Sequence, residues 1–89
     1  MNSKAILIVD DEVGLLEALA DVFEAEGYRV ETAVDGREAL ERLHEKEKPD
    51  LVILDLMMPM VSGNEVYAAM RADPALAGIP VIVSTSDPS

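Results

Sequence analysis

Ala5-Ile6-Leu7-Ile8-Val9 is an unbroken apolar run, rich in β-branched side chains, that ends at two carboxylates, Asp10-Asp11. A strand with one wet face alternates apolar and polar residues. A run without alternation is expected where both faces are covered, as in a parallel sheet lying between helices. The same construction recurs at Leu51-Val52-Ile53-Leu54, which ends at Asp55, and Val81-Ile82-Val83-Ser84-Thr85 reads as the last strand. Tyr28-Arg29-Val30-Glu31-Thr32-Ala33 does alternate, which predicts a strand nearer the sheet edge with one wetter face.

Helical periodicity fills the intervals. Residues 11–26 read as a helix, with Leu16, Leu19 and Phe23 at spacings of three and four and Glu17, Asp21 and Glu24 on the other side. Acid at its start suits the helix dipole, and Gly27 is a left-handed stop. Asp35-Gly36 supplies turn chemistry and an N-cap for a second helix over 37–47, with Ala39, Leu40 and Leu43 inward. Lys48-Pro49-Asp50 breaks it. Met57-Met58-Pro59-Met60 reads as a loop, and Ser62-Gly63 opens a third helix reaching about Arg71, with Val66, Tyr67 and Met70 toward the sheet. Asp73-Pro74 and Gly78-Ile79-Pro80 mark the loop before the last strand. Strand and helix alternate three times and a strand follows. That order implies βαβ crossovers and a parallel sheet with helices on both faces, in one domain over 1–89.

Composition bounds the function. The 89 residues are 49% apolar and 28% charged, enough for one packed core, and with only 3% aromatic residues that core is aliphatic. A net charge of −11 argues against nucleic acid or an anionic membrane as a direct partner. The apolar runs are too short to span a bilayer, and no targeting segment precedes the first. Absence of cysteine excludes disulfides and thiolate chemistry and fits a cytoplasmic protein.

In a sheet of this kind ligands bind at the carboxyl ends of the strands. Asp10 and Asp11 end the first strand and Asp55 the third. If those strands are neighbours, three carboxylates share one crevice, which is costly unless a cation relieves it. Oxygen ligands without His or Cys favour Mg²⁺, Ca²⁺ or Mn²⁺. Thr85, at the end of the next strand, can donate a hydrogen bond to an anion seated on Asp55. A nucleophilic carboxylate, a cation and a neutral donor are the minimum for phosphoryl transfer onto Asp. Each residue also has a plainer explanation. Asp10 can cap a helix, Asp55 can serve a turn, and Thr is common in strands. His44, among Glu and Lys, reads as a solvated helical residue, and Met57, Met58 and Met60 as loop-to-core packing.

Taken together these residues resemble the receiver domain of two-component response regulators. The resemblance rests on Ile6-Leu7-Ile8-Val9-Asp10-Asp11-Glu12, on Asp35-Gly36 with Glu38-Ala39-Leu40, and on Pro49-Asp50-Leu51-Val52-Ile53-Leu54-Asp55. Met58-Pro59, Gly63 and Ile79-Pro80-Val81-Ile82 leading to Thr85 complete it. It implies a CheY-like, flavodoxin-like, doubly wound sheet of strand order 2-1-3-4. It implies Asp55 as acceptor of phosphate from a sensor histidine kinase, a phosphotransfer protein or a small phosphodonor. Mg²⁺ would be held by Asp11, Asp55 and the Met57 backbone carbonyl, with Asp10 acting largely through water. Thr85 would be the switch residue, and Met57 and Asp87 would tune how long the phosphate survives. Ser86 departs mildly from the family's small Ala or Gly.

The family continues with a helix, a strand carrying a phosphoryl-contacting lysine, and a last helix. Without them the fourth strand is expected to be an uncovered edge, so the chain is either the front part of a longer receiver or self-associates, as a homodimer or by domain swapping. Three functions follow. The first is a self-phosphorylating signalling domain rather than a turnover enzyme. The second is a non-signalling binding scaffold. The third is a hydrolase with a nucleophilic Asp, which Leu56-Met57-Met58 disfavours by offering no acid or base.

Overall fold

The structure is a computed structural model, and it describes residues 4–56, 58 and 62–84. Seven elements follow in order: β1 (Ala5–Val9), α1 (Val13–Ala25), β2 (Arg29–Ala33), α2 (Gly36–Leu43), β3 (Leu51–Asp55), α3 (Gly63–Ala72) and β4 (Val81–Ser84). The four strands form one parallel sheet in the order β2-β1-β3-β4. This is the doubly wound, CheY-like order that the receiver-domain resemblance implies, and the parallel sheet between helices is the one expected from the alternation of apolar runs and helical stripes.

The unbroken apolar run of β1 now has its physical cause. Ile6 and Ile8 pack with Leu16 of α1 on one face, flanked by Leu19, Phe23, Leu51 and Ile53. Leu7 and Val9 point the other way, into a second cluster with Ala39 and Leu43 of α2 and Val66 and Met70 of α3. Val52 and Leu54 of β3 join that cluster, as does Met58, the one described methionine of its loop. Each such aliphatic side chain contributes roughly 1.5–3 kcal/mol on burial. β4 is the far edge of the sheet. Val81 packs against the second cluster, whereas Ile82 and Val83 remain 53% and 50% exposed.

Four boundaries or orientations differ from the sequence expectation. α1 begins at Val13, not Asp11, and its first turn holds no acidic residue. The reason lies in the sheet: the Asp10 N–H donates to the Ala33 carbonyl at 3.0 Å, so the chain stays extended past the end of β1. β2 begins at Arg29, and Tyr28 instead meets Phe23 edge-on, with ring centroids 6.0 Å apart. α2 ends at Leu43, because Glu45-Lys46-Glu47 offers no apolar residue to bury and a short helix depends on such packing. Tyr67 is 42% exposed rather than facing the sheet. Val66 and Met70, one turn apart, already define the buried stripe, and Tyr67 lies about 100° round the helix from Val66.

The helix punctuation follows local chemistry. Asp35 caps α2 by accepting the Glu38 N–H at 2.8 Å, and Ser62 caps α3 by accepting the Glu65 N–H at 3.3 Å. Gly27 sits at φ 96°, the left-handed conformation that ends α1 at little steric cost.

Candidate metal and phosphoacceptor centre

β1 and β3 are neighbours, with Val9 opposite Leu54. The next residue along each strand is therefore Asp10 on one and Asp55 on the other, and Asp11 follows Asp10 on the rim. Carboxylate oxygens of Asp10, Asp11 and Asp55 all lie within 4.8 Å of one another. Asp11 is exposed, but Asp10 and Asp55 are only 4% and 1% exposed. The condition set by the sequence, adjacency of the first and third strands, is met.

Local hydrogen bonds hold the pieces. Asp10 Oδ1 accepts the Glu12 N–H at 2.9 Å, so Asp10 turns the chain toward α1 without being its N-cap. The helix-capping explanation of Asp10 therefore accounts for one oxygen, through a turn, and leaves its burial beside two other carboxylates unexplained. On the other side, the Leu56 N–H donates to the Ser84 carbonyl at 3.1 Å and ties the end of β3 to β4.

The electrostatics oppose three charges at this point. Burial pushes the Asp10 carboxyl above the ordinary aspartate range; the Glu12 N–H opposes that shift, and the charges of Asp55 and Asp11 reinforce it. Two buried carboxylates and a third at the rim form a donor set of hard oxygens only, which suits a small divalent cation and relieves the repulsion. These three residues can hold a metal ion. Met57, expected to add its backbone carbonyl, and Thr85, the expected switch residue, lie outside the described residues, as do Ser86 and Asp87. Thr85 directly follows Ser84, which pairs with Asp55 in the sheet.

The rest of the described surface offers no rival to this chemistry. A small groove at the opposite end of the sheet, beside Ala5, Arg29, Arg42 and Pro49, has its arginines engaged in ion pairs, Arg29 with Glu47 at 3.7 Å and Arg42 with Glu31 at 3.4 Å. His44 is exposed, as expected, but it is the C-cap residue just past the end of α2, with its Nδ1 donating to the Leu40 carbonyl at 2.7 Å. Sequence reasoning did miss one residue. Gly63 enters the sequence reading as a helix opener and as one residue of the family resemblance, with no role at the site, yet it lies directly against the main chain of Asp55. A glycine at a helix start, where better helix formers are available, hints at that contact.

Comparison with known proteins agrees with this geometry. The response regulator receiver domain family matches residues 6–89. The chain is 43% identical over 86 residues to the alkaline phosphatase synthesis transcriptional regulatory protein PhoP of Bacillus subtilis, covering 97% of this chain and 34% of that protein. It is 42% identical to the transcriptional regulatory protein CpxR homolog of Haemophilus influenzae, covering 91% of this chain and 34% of that one. The chain thus spans about a third of the length of these relatives. Among solved structures it resembles the N-terminal domain of a response regulator receiver protein from Methanoculleus marisnigri, at 40% identity and a TM-score of 0.87, covering 96% of this chain and 68% of that one. It also resembles the chemotaxis response regulator CheY4 of Vibrio cholerae, at 33% identity and a TM-score of 0.90, covering 99% and 72%. With fold, strand order, acid cluster and sequence all in agreement, the chain belongs to the response regulator receiver domain family.

Proposed function

We propose that this chain accepts a phosphoryl group on Asp55, in a Mg²⁺-dependent reaction, from a sensor histidine kinase, a phosphotransfer protein or a small phosphodonor. The observation that carries the proposal is the burial of Asp55 and Asp10 within 4.8 Å of each other and of Asp11. Buried like charges are kept only where something repays them.

The chemistry needs little from the protein. An Asp55 carboxylate oxygen attacks phosphorus, the bond from phosphorus to the donor (imidazole nitrogen or acetate oxygen) breaks, and an acyl phosphate remains on Asp55. The donor leaves with the bonding electron pair, and a histidine donor takes up a proton. A bound Mg²⁺ supplies positive charge against the phosphoryl oxygens. Asp10, Asp11 and Asp55 are the residues that would hold it, with the Met57 carbonyl. The chain's own contribution is placement. β3 fixes the Asp55 backbone between β1 and β4, and the turn at Asp10 aims its carboxylate into the same crevice. Thr85 serves as the switch residue that donates to the bound phosphoryl group. We assign the chain to signalling rather than to turnover catalysis, and to the cytoplasm. Among the described residues no helix is long and apolar enough to cross a membrane.

The test is incorporation of phosphate from acetyl phosphate with and without Mg²⁺, in the unmodified chain and in Asp55→Asn. Uptake that requires the metal and vanishes in the variant supports the proposal, and equal uptake by both chains refutes it. Asp11→Ala should weaken Mg²⁺ binding at least tenfold, because it removes one charged ligand of a small set. Self-association is a second function with an observation in its favour, the exposure of Ile82 and Val83 on the edge strand β4. Light scattering that finds only monomer would remove it.

A further inference from the structure

We infer that Gly63 is a positioning residue for Asp55: only a residue without a side chain lets the start of α3 rest against the Asp55 main chain and leave the carboxylate in the acid cluster. The inference rests on the phosphoacceptor role proposed for Asp55 and adds a residue on which that role depends. A β-carbon at Gly63 would overlap the Asp55 carbonyl oxygen, lie 2.6 Å from the Leu56 Cα and 3.0 Å from the Asp55 carbonyl carbon. At Gly14, Gly27 and Gly78 the same atom would meet nothing within 4 Å.

The neighbours at Gly63 are main chain, so no flexible side-chain end can swing aside. Nor can either backbone retreat freely. β3 is held by its pairing to β1 and β4 and by the bond from the Leu56 N–H to the Ser84 carbonyl at 3.1 Å. α3 is held by Val66 and Met70, both buried in the core, and by its Ser62 cap. Glycine otherwise weakens a helix relative to alanine. Its presence here is explained by the contact and opposed by helix propensity, so the sign of an alanine substitution separates the two. Because the overlapped atom is the carbonyl oxygen of Asp55 itself, any yielding moves the residue whose carboxylate must stay within 4.8 Å of Asp10 and Asp11. Mg²⁺ tolerates little departure from its ligand geometry.

The test compares Gly63→Ala with Val66→Ala, a core change three residues further along the same helix. In Gly63→Ala the backbone amide and side-chain carboxyl NMR signals of Asp55 should move without any metal. Mg²⁺ affinity and acetyl phosphate labelling should fall tenfold or more, given that a displacement of about 1 Å can cost roughly 10²-fold. Val66→Ala should lower the melting temperature yet bind Mg²⁺ as the unmodified chain does. Unmoved Asp55 signals, unchanged Mg²⁺ affinity, or an equal loss of affinity in Val66→Ala would overturn the positioning role. If the unmodified chain itself binds no Mg²⁺, the phosphoacceptor proposal fails, and the metal-free Asp55 signals still decide the positioning role. Should Gly63→Ala not fold, the unmodified chain decides: a strong Overhauser contact between the Gly63 and Leu56 α-protons supports the close approach, and its absence refutes it.

Discussion

Replacing Asp10 by Asn should stabilise the metal-free chain, although it alters a buried residue. Asp10 is 4% exposed, and its oxygens lie within 4.8 Å of those of Asp55 and Asp11. At that distance each like-charge pair costs about 0.9 kcal/mol in water and about 3.5 kcal/mol at an effective dielectric of about 20. The pair with exposed Asp11 belongs near the lower figure and the pair with buried Asp55 nearer the upper. Asn keeps an oxygen for the Glu12 N–H, now bonded at 2.9 Å, but as a neutral acceptor, which gives back about 1 kcal/mol. The net expectation is a gain of about 1–3 kcal/mol. For a domain of this size each kcal/mol moves the melting temperature by about 4–8 °C. The assay is thermal melting by circular dichroism in EDTA, at low salt and pH 7. Excess Mg²⁺ should then raise the unmodified chain, by about 2.7 kcal/mol at a hundred times Kd, and raise Asp10→Asn far less, closing or reversing the gap. A variant that melts at or below the unmodified chain in EDTA would show that the carboxylates do not repel as placed, and the case for a cation would lose its electrostatic basis.

Two further outcomes follow. Because burial holds the folded Asp10 value above its unfolded value of 3.8, the stability this group confers is full below the unfolded value and is lost as pH rises through the folded one. The stability gap between Asp10→Asn and the unmodified metal-free chain should therefore shrink on acidification, and Mg²⁺ affinity should fall over the same window because the ion needs the ionised group. Paired urea titrations and calorimetry at several pH values check both, and a gap that widens toward acid contradicts the assignment. Leu43→Ala removes a fully buried side chain from the larger core cluster and should cost about 2–5 kcal/mol in urea unfolding. A loss under 1 kcal/mol would mean that α2 does not close that face.

Much of this molecule was legible from the order of its residues. Burial on both faces imposes an unbroken apolar run on a central strand, so Ile6 to Val9 and Leu51 to Leu54 declare a covered parallel sheet. Punctuation is equally local. Asp35, Ser62 and Gly27 act through hydrogen bonds and dihedral angles within a few residues of themselves. The acids at the strand ends could be named from the sequence because the carboxyl ends of parallel strands share one edge of the sheet.

What the sequence could not settle were the relations between segments far apart in it. That Asp10 and Asp55 meet depends on β1 lying beside β3, which the apolar pattern permits but does not impose. That α1 starts at Val13 depends on the Asp10 N–H reaching Ala33 across the sheet, a bond invisible to helix propensity. The exposure of Tyr67 depends on how wide a stripe the sheet leaves for α3 to bury. The contact of Gly63 with Asp55 is a clearance between two backbones, and no local preference encodes a clearance. Local chemistry chose which residues carry charge, turns and caps. The packing of strand against strand and helix against strand decided which of those charges face one another, and at what distance.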